Sequence, residues 1–151
     1  MCFTEAPLAS LKGGLVNPAA YSRYSPFGVV FDKSWVFASG GRPVIYQSDN
    51  EFDALSPAHR WRHMRYEPTA TPPIDFSWER EWRLATQTLT FDPAHAGIVL
   101  PAGDWAHRLM EAHNEQQAWR IYEYSQVLQM DLAEQYREAF GWRIFELGAS
   151  V

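Results

Sequence analysis

The chain has 151 residues, of which 46% are hydrophobic and 21% charged, with a net charge of −5 and a single cysteine. That balance excludes a disordered chain, a bulk electrostatic pull toward nucleic acid and an intrachain disulfide. The longest apolar run falls far short of the roughly 18 residues a membrane helix requires.

Taken in order, residues 1–8 open directly on a strand or turn, and a short helix over 8–15 ends at Gly13 and Gly14. Residues 17–26 form a turn-rich loop carrying Tyr21, Arg23, Tyr24 and Ser25. The run 27–31 reads as a strand with Phe27, Val29 and Phe31 on one face and Gly28 and Val30 on the other. Gly28 lets a ligand approach the backbone closely. Asp32 caps a short helix over 34–38 that stops at Gly40 and Gly41, and 43–47 is a second strand. Residues 49–63 form one or two short helices broken around Ser56 and Pro57, followed by a proline-rich connector at 69–73.

Residues 77–84 read as the central strand, paired by 86–90. Side chains on a strand alternate between faces, so Trp78, Trp82 and Leu84 turn with Arg80 toward a core. Glu79, Glu81 and Arg83 then face a cleft. A helical reading of the same residues would instead set Glu79 and Arg83 at i, i+4 as an ordinary exposed pair. Residues 97–101 make an apolar strand ended by Pro101. Asp104 caps a helix with Trp105, Leu109 and Ala112 on one stripe. A longer helix over about 118–139 carries the stripe Ile121, Tyr124, Leu128, Leu132 and Tyr136, and 142–145 is a last strand. Irregularly interspersed strands and helices predict an α+β fold: a single compact domain over 1–151, with a small mixed or antiparallel sheet and two longer C-terminal helices.

Three places carry candidate chemistry. Two carboxylates on one strand face repel, which raises the pKa of one and suits Glu79 and Glu81 to acid/base work or to holding a sugar hydroxyl; the competing reading is a structural ion pair with Arg83. In the loop before Gly28, Arg23 can hold a phosphate while Tyr24 stacks on a base, against the alternative of aromatics folded onto a core. The segment 58–65 mixes three arginines, two histidines and Trp61, a pattern for phosphate or RNA contact or for a solvated helix. His59 and His63 are spaced i, i+4 without a third ligand, so no metal site is expected. Cys2 has no adjacent base in sequence and reads as a small residue rather than a nucleophile.

The motifs Cys2-Phe3-Thr4-Glu5-Ala6-Pro7-Leu8, Phe27-Gly28-Val29-Val30-Phe31-Asp32-Lys33, Gly41-Arg42-Pro43-Val44-Ile45-Tyr46 and Glu79-Arg80-Glu81-Trp82-Arg83 resemble, in this order, small prokaryotic proteins of the AbiGi type, linked to abortive phage resistance. The likeness covers about the first half of the chain, and implies a role in defence or toxin–antitoxin systems. In that family the Cys-Phe-Thr motif follows an N-terminal segment, so this chain resembles a shortened member. A looser likeness is to ADP-ribosyltransferase folds, which order a polar residue on an early strand, an aromatic-Gly-hydrophobic strand and a late Glu-x-Glu. Thr4, residues 24–31, and Glu79 with Glu81 follow that order, and Arg23 would serve the first motif.

What the resemblance implies is an NAD- or nucleotide-binding protein, and the single cysteine points to the reducing cytoplasm. Glu81 would orient the nicotinamide ribose and Glu79 position the acceptor. Thr4, Arg23, Tyr24 and Gly28 would hold the cofactor. The alternatives are a non-catalytic antitoxin or inhibitor that binds a toxin or a phage or host factor through its Trp, Tyr and Arg surface, and an RNA-binding protein or ribonuclease. No membrane partner is expected.

Overall fold

A computed structural model of the chain describes residues 1–10, 25–101 and 103–148. Its elements are β1 (Cys2–Phe3), α1 (Leu8–Ser10), β2 (Gly28–Phe31), α2 (Lys33–Ala38), β3 (Arg42–Pro43), β4 (Ile45–Gln47), β5 (His63–Arg65), β6 (Trp82–Arg83), β7 (Ala96–Leu100), α3 (Trp105–Ser125), α4 (Met130–Glu134) and β8 (Arg143–Glu146). Short 3₁₀ turns fill Asp49–Ala54, Pro57–Arg62 and Ser77–Glu79. The chain is α+β, as expected. In place of one sheet the described residues form three small ones, with strand orders β1-β6-β3, β2-β7-β8 and β4-β5. Among the described residues no helix is long and apolar enough to cross a membrane.

The described residues fall into two compact units. The first contains residues 1–10 and 31–95, and the second contains 25–30, 96–101 and 103–148. In the first unit β6 is the middle strand. It pairs antiparallel with β1, placing Cys2 opposite Arg83 and Phe3 opposite Trp82. On its other side it pairs antiparallel with β3, placing Arg42 opposite Arg83 and Pro43 opposite Trp82. β4 and β5 pair in parallel beyond it.

Helix α2 begins at Asp32, whose backbone is extended and whose carbonyl accepts from Val36 N–H at 3.0 Å. It ends because Gly40 takes φ +97, a conformation that costs a side chain dearly. Gly41 N–H then donates back to the Val36 carbonyl at 2.8 Å, and a Cβ on Gly41 would lie 2.5 Å from Val36 Cγ1. This close approach folds the chain from α2 into β3. The core of the unit gathers Val36, Val44 and Leu84. An aromatic cluster adds to it, in which Phe31 meets Phe3, Trp35 and Phe91 at 4.9–5.6 Å and Trp35 stacks on His95.

In the second unit β7 is buried along almost its whole length and runs parallel to β8. Gly97 lets Phe145 pack against the strand, since a Cβ there would lie 2.6 Å from the Phe145 ring. Two helices follow β7, as expected, but the division between them falls elsewhere. α3 runs unbroken for 21 residues through the position where a boundary was expected, and α4 spans 5 residues. No Gly or Pro lies between Asp104 and Gly141, so nothing stops α3 near residue 115. The break comes instead at Gln129, where the backbone turns extended. The expected stripe therefore splits. Ile121 is buried, Leu128 is half-buried, and Tyr124, Leu132 and Tyr136 are exposed. The buried polar residue of α3, Gln117, accepts the Glu138 N–H at 3.0 Å.

Replacing Ile121 with Ala should cost about 2–5 kcal/mol by leaving a cavity. Leu132→Ala should stay within about 0.5 kcal/mol, as surface changes do. Urea denaturation of the two variants checks this split. Equal losses would mean that α4 buries its apolar side chain in solution.

Candidate functional site

The stretch 75–84 departs from the strand reading. Asp75 accepts from Ser77 N–H at 2.9 Å and Ser77 Oγ–H at 2.6 Å, a local side-chain turn that competes with the extended backbone. Residues Ser77–Glu79 form a 3₁₀ turn, and Arg80 follows in the left-handed region at φ 49, ψ 47. The regular strand starts only at Trp82. Trp78, on the turn, is 43% exposed, while Glu81 is only 7% exposed. For Trp78 and Glu81 the expectation of buried tryptophans opposite open glutamates is thus reversed, while Trp82 and Glu79 are both half-buried. The pairing with 86–90 is also absent, since Thr86 N–H turns back to the Leu84 carbonyl.

The alternation survives over the few residues that do pair. Glu81 and Arg83 lie on one face with Cys2, and Trp82 lies on the other with Phe3 and Glu5. The ladder is tied beyond the formal strand. Val44 N–H donates to Glu81 O at 3.0 Å, Glu5 N–H to Glu79 O at 3.3 Å and Leu84 N–H to Met1 O at 2.9 Å.

On the buried face Arg83 Nε donates to Glu81 Oε1 at 2.8 Å. Arg83 Nη1 donates to the His63 carbonyl at 2.6 Å and the Trp61 carbonyl at 3.2 Å, and Nη2 approaches Met64 Sδ at 3.5 Å. Partial burial works against the Arg83 charge, but the hydrogen bond and charge of Glu81 outweigh it and hold the guanidinium protonated. Cys2 is exposed as a residue, yet its thiol is pushed above the ordinary range. Partial desolvation is the main cause, followed by the hydrogen bond and negative charge of Glu81. An open pocket of about 350 Å³ adjoins this face, lined by Met1, Trp61, Arg83, Leu84, Ala85, Thr86 and Gln87. That volume lies at the small end of ligand sites.

On the opposite face Glu5 collects three donors. Lys33 Nζ lies 2.7 Å and Arg80 Nη2 3.0 Å from Oε1, and Trp82 Nε1 lies 2.9 Å from Oε2. The Lys33 hydrogen bond, then that of Trp82, holds the Glu5 carboxyl below its ordinary range. Lys33 Nζ also sits 5.1 Å above the Trp82 ring.

The expected site residues distribute as follows. Thr4 Oγ1 donates to the Glu79 carbonyl at 2.6 Å and accepts from Ala6 N–H, so Thr4 and Glu79 are neighbours. Glu79 lies half-buried on the turn rather than on the strand. Glu81 is locked to Arg83. Gly28 belongs to β2, in the second unit, with Val99 3.9 Å from where its Cβ would stand. Arg23 and Tyr24 lie outside the described residues. Sequence reading missed Glu5, Lys33 and Tyr46. The Tyr46 hydroxyl donates to the Phe76 carbonyl and accepts the Glu81 N–H, both at 3.2 Å, bridging the turn to β4. Burial raises its pKa, and the charges of Glu81, Glu79 and Asp75 add to the shift. A lone acid within an apolar motif was the available signal for Glu5.

The arginines of 58–65 are engaged within the unit. Arg60 meets Asp53 and the Leu55 carbonyl, Arg62 the Pro43 carbonyl, and Arg65 both Asp49 and Glu67. Among the described residues no group of three or more His, Cys, Asp or Glu side chains is placed to hold a metal ion.

Because partial desolvation, and after it Glu81, raises the Cys2 pKa, iodoacetamide should alkylate Cys2 slowly near neutral pH and faster as pH rises past the ordinary thiol range. Glu81→Gln removes the carboxylate and leaves Arg83 beside the thiol, so the alkylation profile should move to lower pH. Rapid neutral alkylation of the wild type, or an unmoved profile in the variant, would contradict the contact.

Compared with known proteins, the chain matches no family model, no curated protein and no solved structure.

Proposed function

We propose that the first unit is the working end of an NAD-handling, ADP-ribosyltransferase-like protein of the phage-defence or toxin–antitoxin class, acting in the cytoplasm. One observation supports the reading. The four motifs that carry the family resemblance are far apart in sequence, yet each contributes to the sheet around β6 or to the clusters on its two faces. The first supplies β1, Thr4 and Glu5, and the second supplies Lys33. The third supplies β3 and Tyr46, and the fourth supplies Glu79, Glu81 and Arg83.

In this reading the bond between ribose C1′ and the nicotinamide nitrogen breaks, and its electron pair leaves with nicotinamide. The Glu81 carboxylate, held by Arg83, stabilises the positive charge that develops on the ribosyl ring. An acceptor oxygen or nitrogen attacks C1′ and yields its proton to Glu79. Arg83, at the pocket wall, links the carboxylate to the space where a ring or ribose would lie.

The test is nicotinamide release from NAD, with cell lysate as the source of acceptors. Wild type should release nicotinamide. Glu79→Gln and Glu81→Gln should each slow release on the order of 10²–10³-fold. Glu79→Gln breaks no hydrogen bond of the Glu81–Arg83 pair, so its melting temperature should stay near that of wild type. Absence of release by the wild type, or a Glu79→Gln variant at full rate, would remove the enzymatic reading.

A further inference from the structure

The second unit presents an apolar surface that its own core does not use. On α3 the buried residues Gln117 and Ile121 mark the inward side, and at 100° per residue Trp119 and Tyr122 project from the opposite side. Trp119 is 63% exposed and Val127, in the link to α4, is 81% exposed. Met130 and Leu132 of α4 and Tyr136 beyond it are exposed as well. Trp119 and Tyr122 pack on each other with ring centroids 5.5 Å apart, and Trp119 Nε1 donates to Glu123 Oε1 at 3.1 Å, so an aromatic pair and a carboxylate share this side of α3.

Charge selects what covers this surface. Residues 111–138 hold six carboxylates against two arginines, so they carry most of the −5 net charge of the chain. Both arginines are already engaged, Arg120 with Glu138 at 2.7 Å and Arg137 with Glu134 at 2.8 Å. Glu115, Glu123 and Asp131 stand exposed with no ion pair among the described residues. Aromatic side chains set among carboxylates in this way repel nucleic acid and anionic lipid. It also repels a second copy of itself, because a two-fold contact would oppose like charges. The aromatic enrichment suits a protein interface, where Trp and Tyr act as anchors.

We infer that the α3–α4 surface is a docking site for a cationic amphipathic helix of a protein partner, with Trp119, Tyr122 and Val127 receiving its apolar stripe and Glu115, Glu123 and Asp131 facing its Lys and Arg residues. Helix-in-groove recognition of this kind reads apolar anchors at i, i+3, i+4 and i+7. The site is independent of the proposed NAD chemistry, since every residue in it belongs to the second unit.

The probe is a synthetic Leu/Lys peptide of about five helical turns with Leu on one stripe. It is compared with a Leu/Glu version and with a Leu/Lys peptide of scrambled order, using isothermal titration calorimetry on the full chain. The stripe-forming Leu/Lys peptide should bind, and binding should weaken as salt is raised. The double variant Trp119→Ala, Tyr122→Ala should weaken it by about tenfold or more. Glu123→Gln with Asp131→Asn should weaken it at low salt only. All the substituted side chains are exposed, so far-ultraviolet circular dichroism should be unchanged. Equal binding of the scrambled or Leu/Glu peptide, or unaltered binding by the aromatic double variant, would overturn the inference. So would a wild-type dimer in sedimentation that the double variant abolishes, or binding to vesicles of anionic phospholipid.

Discussion

The first unit depends on one ion pair. Glu81 and Arg83 stand two residues apart on the middle strand of a three-stranded sheet, and their side chains meet at 2.8 Å on its buried face. A buried carboxylate without a partner costs several kcal/mol, so the pair is obligatory once Glu81 is covered. Arg83 uses its remaining donors on the Trp61 and His63 carbonyls, which ties β6 to the segment that leads into β5. Glu81 contributes through its backbone as well. Its N–H reaches Tyr46 and its carbonyl reaches Val44. One residue thus joins the turn at 77–79, strand β4 and the Arg83 guanidinium.

The two faces of β6 divide the electrostatics. The inner face holds Glu81, Arg83 and a Cys2 thiol kept protonated. The outer face holds Glu5 with the ammonium of Lys33, the guanidinium of Arg80 and the Trp82 indole. Arg80 reaches Glu5 from a left-handed backbone position, a conformation that costs a non-glycine residue about 1 kcal/mol. The Arg80 ion pair is exposed, so it offsets that strain only in part. The turn is held chiefly by the Asp75–Ser77 hydrogen bonds and by Tyr46.

How much of this was legible depends on whether local or distant groups decide each element. The strands at 28–31 and 96–100 and the helix at 33–38 were readable, because their hydrophobic periods and glycine stops act within a few residues. The turn at 77–79 was not. Its sequence alternates like a strand, and only the Asp75–Ser77 hydrogen bonds reveal that the backbone is diverted. The sharing of one face by Glu81 and Arg83 was readable from the two-residue period, but its burial was not, because burial depends on β1, β3 and the segment 61–64 arriving from elsewhere. Glu5 escaped notice for the same reason, since its partners lie 28 and 75–77 positions away. The break between α3 and α4 carries neither Gly nor Pro and left no mark on composition.

A double-mutant cycle measures the Glu81–Arg83 pair directly. Arg83→Met strands the Glu81 carboxylate in the sheet and should cost about 3–5 kcal/mol in urea denaturation. The double variant Glu81→Leu with Arg83→Met removes both charges and should recover most of that loss, giving a coupling energy well above about 0.5 kcal/mol. A loss of only a few tenths in Arg83→Met, or costs that simply add, would show that the pair does not hold the sheet together.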